Sequence, residues 1–164
     1  MTKELLALLE SNSKLTTKEI ADYLDVKEEE VINEVARLEK EKVICAYNAI
    51  INWDKVTDEK VNALIEVKVT PQRGMGYDRL AERISKFDEV NSVYLISGSY
   101  DFMVIINGKS MKEISSFVFE KISTIDMIQS ITTHFVLKKY KDHGVLIDEK
   151  KVDKREKILI WEIS

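Results

Sequence analysis

A shift of 38 residues lays the latter part of this chain on itself, and that repeat constrains the fold more than any other feature. Phe87-Asp88-Glu89-Val90-Asn91-Ser92-Val93 falls on Ile125-Asp126-Met127-Ile128-Gln129-Ser130-Ile131, both reading apolar, Asp, any, apolar, amide, Ser, apolar. The same shift lays LIEVKVT (64–70) on FMVIING (102–108), and Leu80 and Ile84 on Val118 and Ile122. Each copy reads as strand, helix, strand. Two in tandem give β-α-β-β-α-β, a ferredoxin-like arrangement in which an antiparallel four-stranded sheet carries both helices on one face. Val61, Ala63, Ile65, Val67 and Val69 alternate on one side of the first strand and Leu64 stands on the other, so both sheet faces carry apolar residues. Nothing in the chain covers the second face, and another copy of the protein is the simplest cover.

A helical period rules the first 46 residues instead. Leu5, Leu6, Leu8 and Leu9 form an apolar stripe that SNSK ends. Thr16 followed by Glu19 fits a capping box opening a second helix, with Ile20, Ala21 and Leu24 inward. After DVK, a third helix is expected over 28–40, with three glutamates at its N-terminus and Val31, Ile32, Val35 and Leu38 as the buried stripe. Helix, short turn and helix outline a winged-helix-like helix-turn-helix. The expected organisation is an α+β chain. A helix-turn-helix spans 1–46, a linker 47–62 with a β-prone YNAIINW, and the ferredoxin-like module 63–144. A charged tail over 145–164 ends in ILIWEIS, which reads as a terminal strand. Trp53 is expected to anchor the linker against the sheet, and Cys45 to be a small buried residue.

Composition narrows the class. With 45% hydrophobic residues the chain can build ordinary cores, and no apolar run approaches the roughly 18 residues of a membrane helix. MTKELLALLE lacks a basic-then-apolar leader, which leads us to expect a cytoplasmic protein. One cysteine and two histidines, His134 and His143, give no metal-ligand spacing, so no metal and no cofactor are expected. Residues 1–46 hold 7 Lys+Arg against 11 Asp+Glu, and the whole net charge of −4 falls there.

RLEKEKVICAYNAIIN (37–52) leaving the third helix, SGSYDFMV (97–104) at the central hairpin and THFVLKKYK (133–141) at the last strand occur here in order. In these stretches and in its architecture the chain, from about Thr2 to Gly144, resembles the leucine-responsive and asparagine-activated (Lrp/AsnC, "feast/famine") transcription regulators. The resemblance implies dimers formed through the sheet module, often assembled into rings, and a small effector, usually an amino acid, bound in clefts between subunits. The effector would change assembly or DNA affinity. A cleft lined by the Gly-x-Tyr-Asp hairpin and by hydroxyl residues of the last strand then implicates Gly98, Ser99, Tyr100, Asp101, Ser130 and Thr133. An amino acid's ammonium wants a carboxylate such as Asp101, and its carboxylate wants N–H donors such as those near Gly98. Read from the residues alone, GSYD is equally a hairpin loop, with Gly98 at positive φ and Asp101 capping the turn.

The head would meet double-stranded DNA through Lys27, Glu29, Asn33 and Arg37 of the third helix, Thr17 and Lys18 of the second, and Lys40 and Lys42 behind. Asn33 suits adenine, Arg37 guanine or phosphate, and Glu29 a cytosine amine. Glu28, Glu29 and Glu30 would sit nearest the phosphates, so binding by one head should be weak and salt-sensitive, and several heads in one assembly would offset this. The bland alternative is a solvated helix face with pairs such as Arg37 with Glu41. Two other classes stay open: an enzyme on the same scaffold, like the siroheme decarboxylases, or an effector-binding oligomer whose acidic head meets protein. The first needs a His-Arg cluster, and with only His134 and His143 we assign no catalytic residue.

Overall fold

Three helices form where capping and apolar spacing agree: α1 (Thr2–Ser11), α2 (Thr17–Leu24) and α3 (Glu28–Lys40). They belong to the first of two units, Met1–Ile50 and Ile51–Ser164, of a computed structural model that describes residues 1–56, 60–70 and 76–147. At the start of α2 the Glu19 N–H donates to Thr16 Oγ1 (3.2 Å) and the Thr16 N–H donates to Glu19 Oε2 (2.8 Å), a complete capping box. Asp25, at φ 52°, reverses the chain between α2 and α3. Leu5, Ile20, Ala21, Val31 and Leu38 are buried together, with Leu6, Leu8, Leu9 and Val35 packed around them.

Two expectations for this unit are corrected. Ile32 is 49% exposed rather than part of the buried stripe. Val31, Val35 and Leu38 already fill the inward face, and a residue about 100° round the helix from Val31 points away from it. Cys45 is exposed, its thiol directed at the Lys42 carbonyl (3.2 Å), because it lies past the end of α3 where the chain runs over the surface.

The β-prone 47–53 makes no ladder. It finds no strand edge among the described residues, and an isolated strand would leave its own N–H and C=O groups unpaired. Trp53 instead opens a 3-10 turn (Trp53–Lys55), with the Lys60 ammonium 3.8 Å above its ring.

In the second unit β1 (Val61–Val69), α4 (Tyr77–Ser85) and β2 (Val90–Leu95) make the first copy of the repeat. The second copy is β3 (Phe102–Gly108), α5 (Met111–Phe117) prolonged by a π turn over Val118–Ile122, and β4 (Ile128–Phe135). The sheet order is β2-β3-β1-β4, all neighbours antiparallel, as the two tandem units require. Ala63, Ile65, Val67 and Val69 of β1, Phe102, Val104 and Ile106 of β3, and Leu80, Ile84, Ile114 and Ile122 of the helices are all buried in one core. The opposite sheet face carries Leu64, Met103 and Ile105 half-buried and Tyr94 exposed. A short hairpin of β5 (Lys141–Asp142) and β6 (Val145–Leu146) turns on His143 (φ 44°) and Gly144 (φ 83°), so part of the expected tail is folded. The expected terminal strand ILIWEIS lies outside the described residues. Among the described residues no helix is long and apolar enough to cross a membrane.

Candidate effector site and nucleic-acid interface

The central hairpin is held by Asp101. β1 shifts register against β4 between Lys68 and Val69, which takes the Val69 N–H out of the regular ladder. That N–H donates to Asp101 Oδ2 (2.8 Å), while the Asp101 N–H donates to the Val67 carbonyl (3.0 Å). The Tyr77 hydroxyl donates to Asp101 Oδ1 (3.3 Å) and the Tyr77 ring leans on Phe102, centroids 5.8 Å apart. Burial first, then the neighbouring carboxylate, holds the Tyr77 phenol above its usual pKa. Asp101 therefore ties β1, β3 and α4 at one end of the sheet. A carboxylate has about four lone-pair positions and these bonds use two, so it keeps acceptor capacity for a cation.

The N–H groups of Gly98, Ser99 and Tyr100 have no hydrogen-bond partner among the described residues. Gly98 is not at positive φ, and an added Cβ would meet only Ile96 Cγ2 at 3.8 Å, so the hairpin itself does not require a glycine there. The turn reading of Gly98 is thus corrected, whereas Asp101 does brace the turn. The arrangement puts free N–H donors for a carboxylate in the same loop as an acceptor for an ammonium.

The two strand hydroxyls part company. Ser130 stands opposite Lys68 on the face that none of the described helices covers, the uncovered face below, with Thr132 opposite Glu66, whereas Thr133 stands opposite Ile65 on the helix-covered side. Ser130 is one strand away from the β1 segment that Asp101 grips; Thr133 lies three residues further on. Residues not anticipated from sequence are Tyr77 and the pair formed by Glu66 and His134, 3.2 Å apart on the uncovered face. A separate cleft of about 400 Å³ runs between α4 and the segment before β4, lined by Arg79, Leu80, Arg83 and Met127 among others, and none of the expected effector residues borders it. Among the described residues no His, Cys, Asp and Glu side chains group to hold a metal.

On the first unit, the Arg37 guanidinium uses three of its five N–H groups on neighbouring carboxylates. Nε and Nη2 grip Glu34 side-on (2.9 and 2.7 Å), Nη1 donates to Glu41 Oε2 (2.6 Å), and Glu34 also accepts from Thr2 Oγ1 (2.6 Å). Arg37 and Thr2 hold the Glu34 carboxyl down at about 2. Arg37 thus helps join α3 to the start of α1 through Glu34, with its side chain about half exposed. Thr17 is likewise used, donating to Glu28 Oε1 (2.6 Å) between α2 and α3. Lys18, Lys27, Glu29, Asn33, Lys40 and Lys42 are exposed, Lys42 at φ 59° just past α3.

The Glu34 pair carries a pH prediction. Its pKa is lowered from 4.5, so ionised Glu34 contributes stability that is complete above about 4.5 and is lost as pH falls toward about 2. Thermal melts should show wild type and Glu34→Gln converging over that window, with wild type the more stable at neutral pH.

The helical head and the doubled βαβ module match known proteins over most of the chain. The model of the Lrp/AsnC ligand binding domain matches residues 62–146. The HTH-type transcriptional regulator YugG of Bacillus subtilis is 49% identical over 153 residues, 93% of this chain and 92% of that one. The HTH-type transcriptional regulator PH0140 of Pyrococcus horikoshii is 32% identical, covering 80% of each. Among solved structures, Escherichia coli AsnC superposes with a TM-score of 0.63 at 22% identity, over 84% of this chain and 91% of that one. The Neisseria meningitidis transcriptional regulator NMB0573, solved as an L-Met complex, gives 0.67 at 22%, over 86% and 90%. The chain belongs to the Lrp/AsnC family.

Proposed function

We propose that this protein is a DNA-binding transcription regulator that works as a homo-oligomer and responds to an amino acid or related metabolite bound between subunits. Residues 1–46 form the head, 47–62 the linker and 63–144 the sensing and dimerising module. The observation that carries the reading is the hairpin: unpaired N–H groups at Gly98, Ser99 and Tyr100 beside a carboxylate at Asp101 complement the two charged ends of an amino acid. The relatives named as transcriptional regulators and the L-Met complex of the Neisseria protein support it. The uncovered sheet face supplies the dimer surface, and a second copy completes the effector cleft with residues this chain does not provide. An effector that binds one assembly better than another shifts how the heads are spaced along DNA.

The test is a melting-temperature screen of the full-length protein against the twenty amino acids and their keto acids. The proposal expects one small chemical group of these to raise the melting temperature in wild type and to change DNA affinity at the same concentrations. A panel that leaves both properties unchanged argues against the sensing role.

A further inference from the structure

The cleft between α4 and the segment before β4 has no part in the regulator reading, yet its lining is chemically specific. Leu80 of α4 and, across from it, Ile125 and Met127 give it an apolar floor. Arg79, Arg83 and Lys86, spaced three or four residues apart along one flank of α4 and its C-cap, form the rim beside that floor. Among the described residues Glu82 is the one acidic side chain of the lining, and Lys86 holds its carboxylate (2.9 Å). Arg79 and Arg83 make no hydrogen bond or ion pair among the described residues.

The wall facing α4 is fixed. The Met127 carbonyl accepts from the Thr70 N–H (2.9 Å) and the Ile125 carbonyl from the Ile128 N–H (2.9 Å), so the turn before β4 is tied to the end of β1 and to itself. At about 400 Å³ the cleft falls among small-molecule sites, which run from about 300 to 1,000 Å³ and are largely formed before the ligand arrives.

A guanidinium offers its N–H groups as a planar fork that matches a carboxylate. Two such groups beside an apolar floor complement a molecule with an anionic head and an apolar body, and the unbranched thioether of Met127 adapts to the shape of that body. An ammonium would meet the cationic rim, with the Glu82 carboxylate already taken. We propose that this cleft binds an organic carboxylate with a short apolar chain and no ammonium group, Arg79 and Arg83 holding the carboxylate and Leu80, Ile125 and Met127 the chain. The inference goes beyond the regulator reading, since none of the hairpin residues borders the cleft.

The experiment follows the methionine methyl resonances of the isotope-labelled full-length protein during titration with hexanoate, hexylammonium and hexanol, three heads on one chain. Met127→Leu, which keeps the core volume nearly unchanged, identifies the Met127 resonance. Hexanoate should move that resonance along a saturable curve, hexylammonium should leave it in place, and hexanol should bind about tenfold more weakly, the share of a charge-assisted hydrogen bond. Arg79→Gln combined with Arg83→Gln, both at exposed positions of α4 where glutamine suits a helix, should weaken hexanoate by about tenfold, to the level of hexanol. A Met127 resonance unmoved by hexanoate, hexanol binding as tightly as hexanoate, or unchanged hexanoate binding in the double variant would overturn the inference. So would a hexanoate response confined to Met103, on the opposite sheet face. None of these results bears on DNA binding or on the Asp101 hairpin, so the two readings fail separately.

Discussion

Asp101→Ala lowers the melting temperature of the second unit by about 5–15 °C and abolishes the effector response. The first effect follows from the Val69 N–H, which loses its only acceptor at the register shift and stays part-buried, at a cost of about 1–3 kcal/mol, with the Tyr77 hydroxyl losing its partner too. The second follows from the missing anion for an ammonium. Because one substitution removes both, Asp101→Asn separates them. Its amide oxygen still accepts from Val69, so most of the stability returns, while the charge needed by the effector stays absent. Melting scans of the three proteins with and without effector give the answer. An Asp101→Asn protein that responds like wild type would place the ammonium partner elsewhere.

Ile105→Asp converts the proposed dimer to monomers. Ile105 stands on the uncovered face between Leu64 of β1 and Ser92 of β2, half-buried within the chain and central to the surface a second copy would seal. A carboxylate placed there and buried without a partner costs about 3 kcal/mol, or roughly a hundredfold in dissociation constant, and a symmetric dimer would meet that charge twice. The isolated fold should survive, since the side chain faces away from the core packed under α4 and α5. Sedimentation of the variant should show single chains with an unchanged far-ultraviolet spectrum. A dimer of wild-type affinity would move the interface to another surface.

The sheet module was legible because its period is written twice. Superposing Leu80 and Ile84 on Val118 and Ile122 identified four residues that are all buried in the same core. The capping box at Thr16 and Glu19 was equally readable, since both partners lie within one turn. Parity also decided more than the sequence reading drew from it: Ser130 and Thr133 are an odd number of residues apart on one strand, so they had to face opposite ways. Ile32 was misplaced because an apolar residue adjoining a stripe fits an inward pattern as well as an outward one, and only packing against α1 and α2 chooses. The tie from Asp101 to Val69 spans 32 residues and depends on a bulge that leaves no local mark in the sequence. The locking of Arg37 was half visible: the pair with Glu41 follows from helical spacing, while the tie from Glu34 to Thr2 needed the approach of α1 to α3.

The regulator reading is tested most directly by recovering fragments of the organism's own genome with the full-length protein, at low and at near-physiological salt, with and without the amino-acid panel. The account predicts that a few upstream regions are enriched at both salts and that one amino acid or its relative alters their recovery. Recovery of no region at either salt, whatever is added, would contradict it and leave the acidic head to a protein partner.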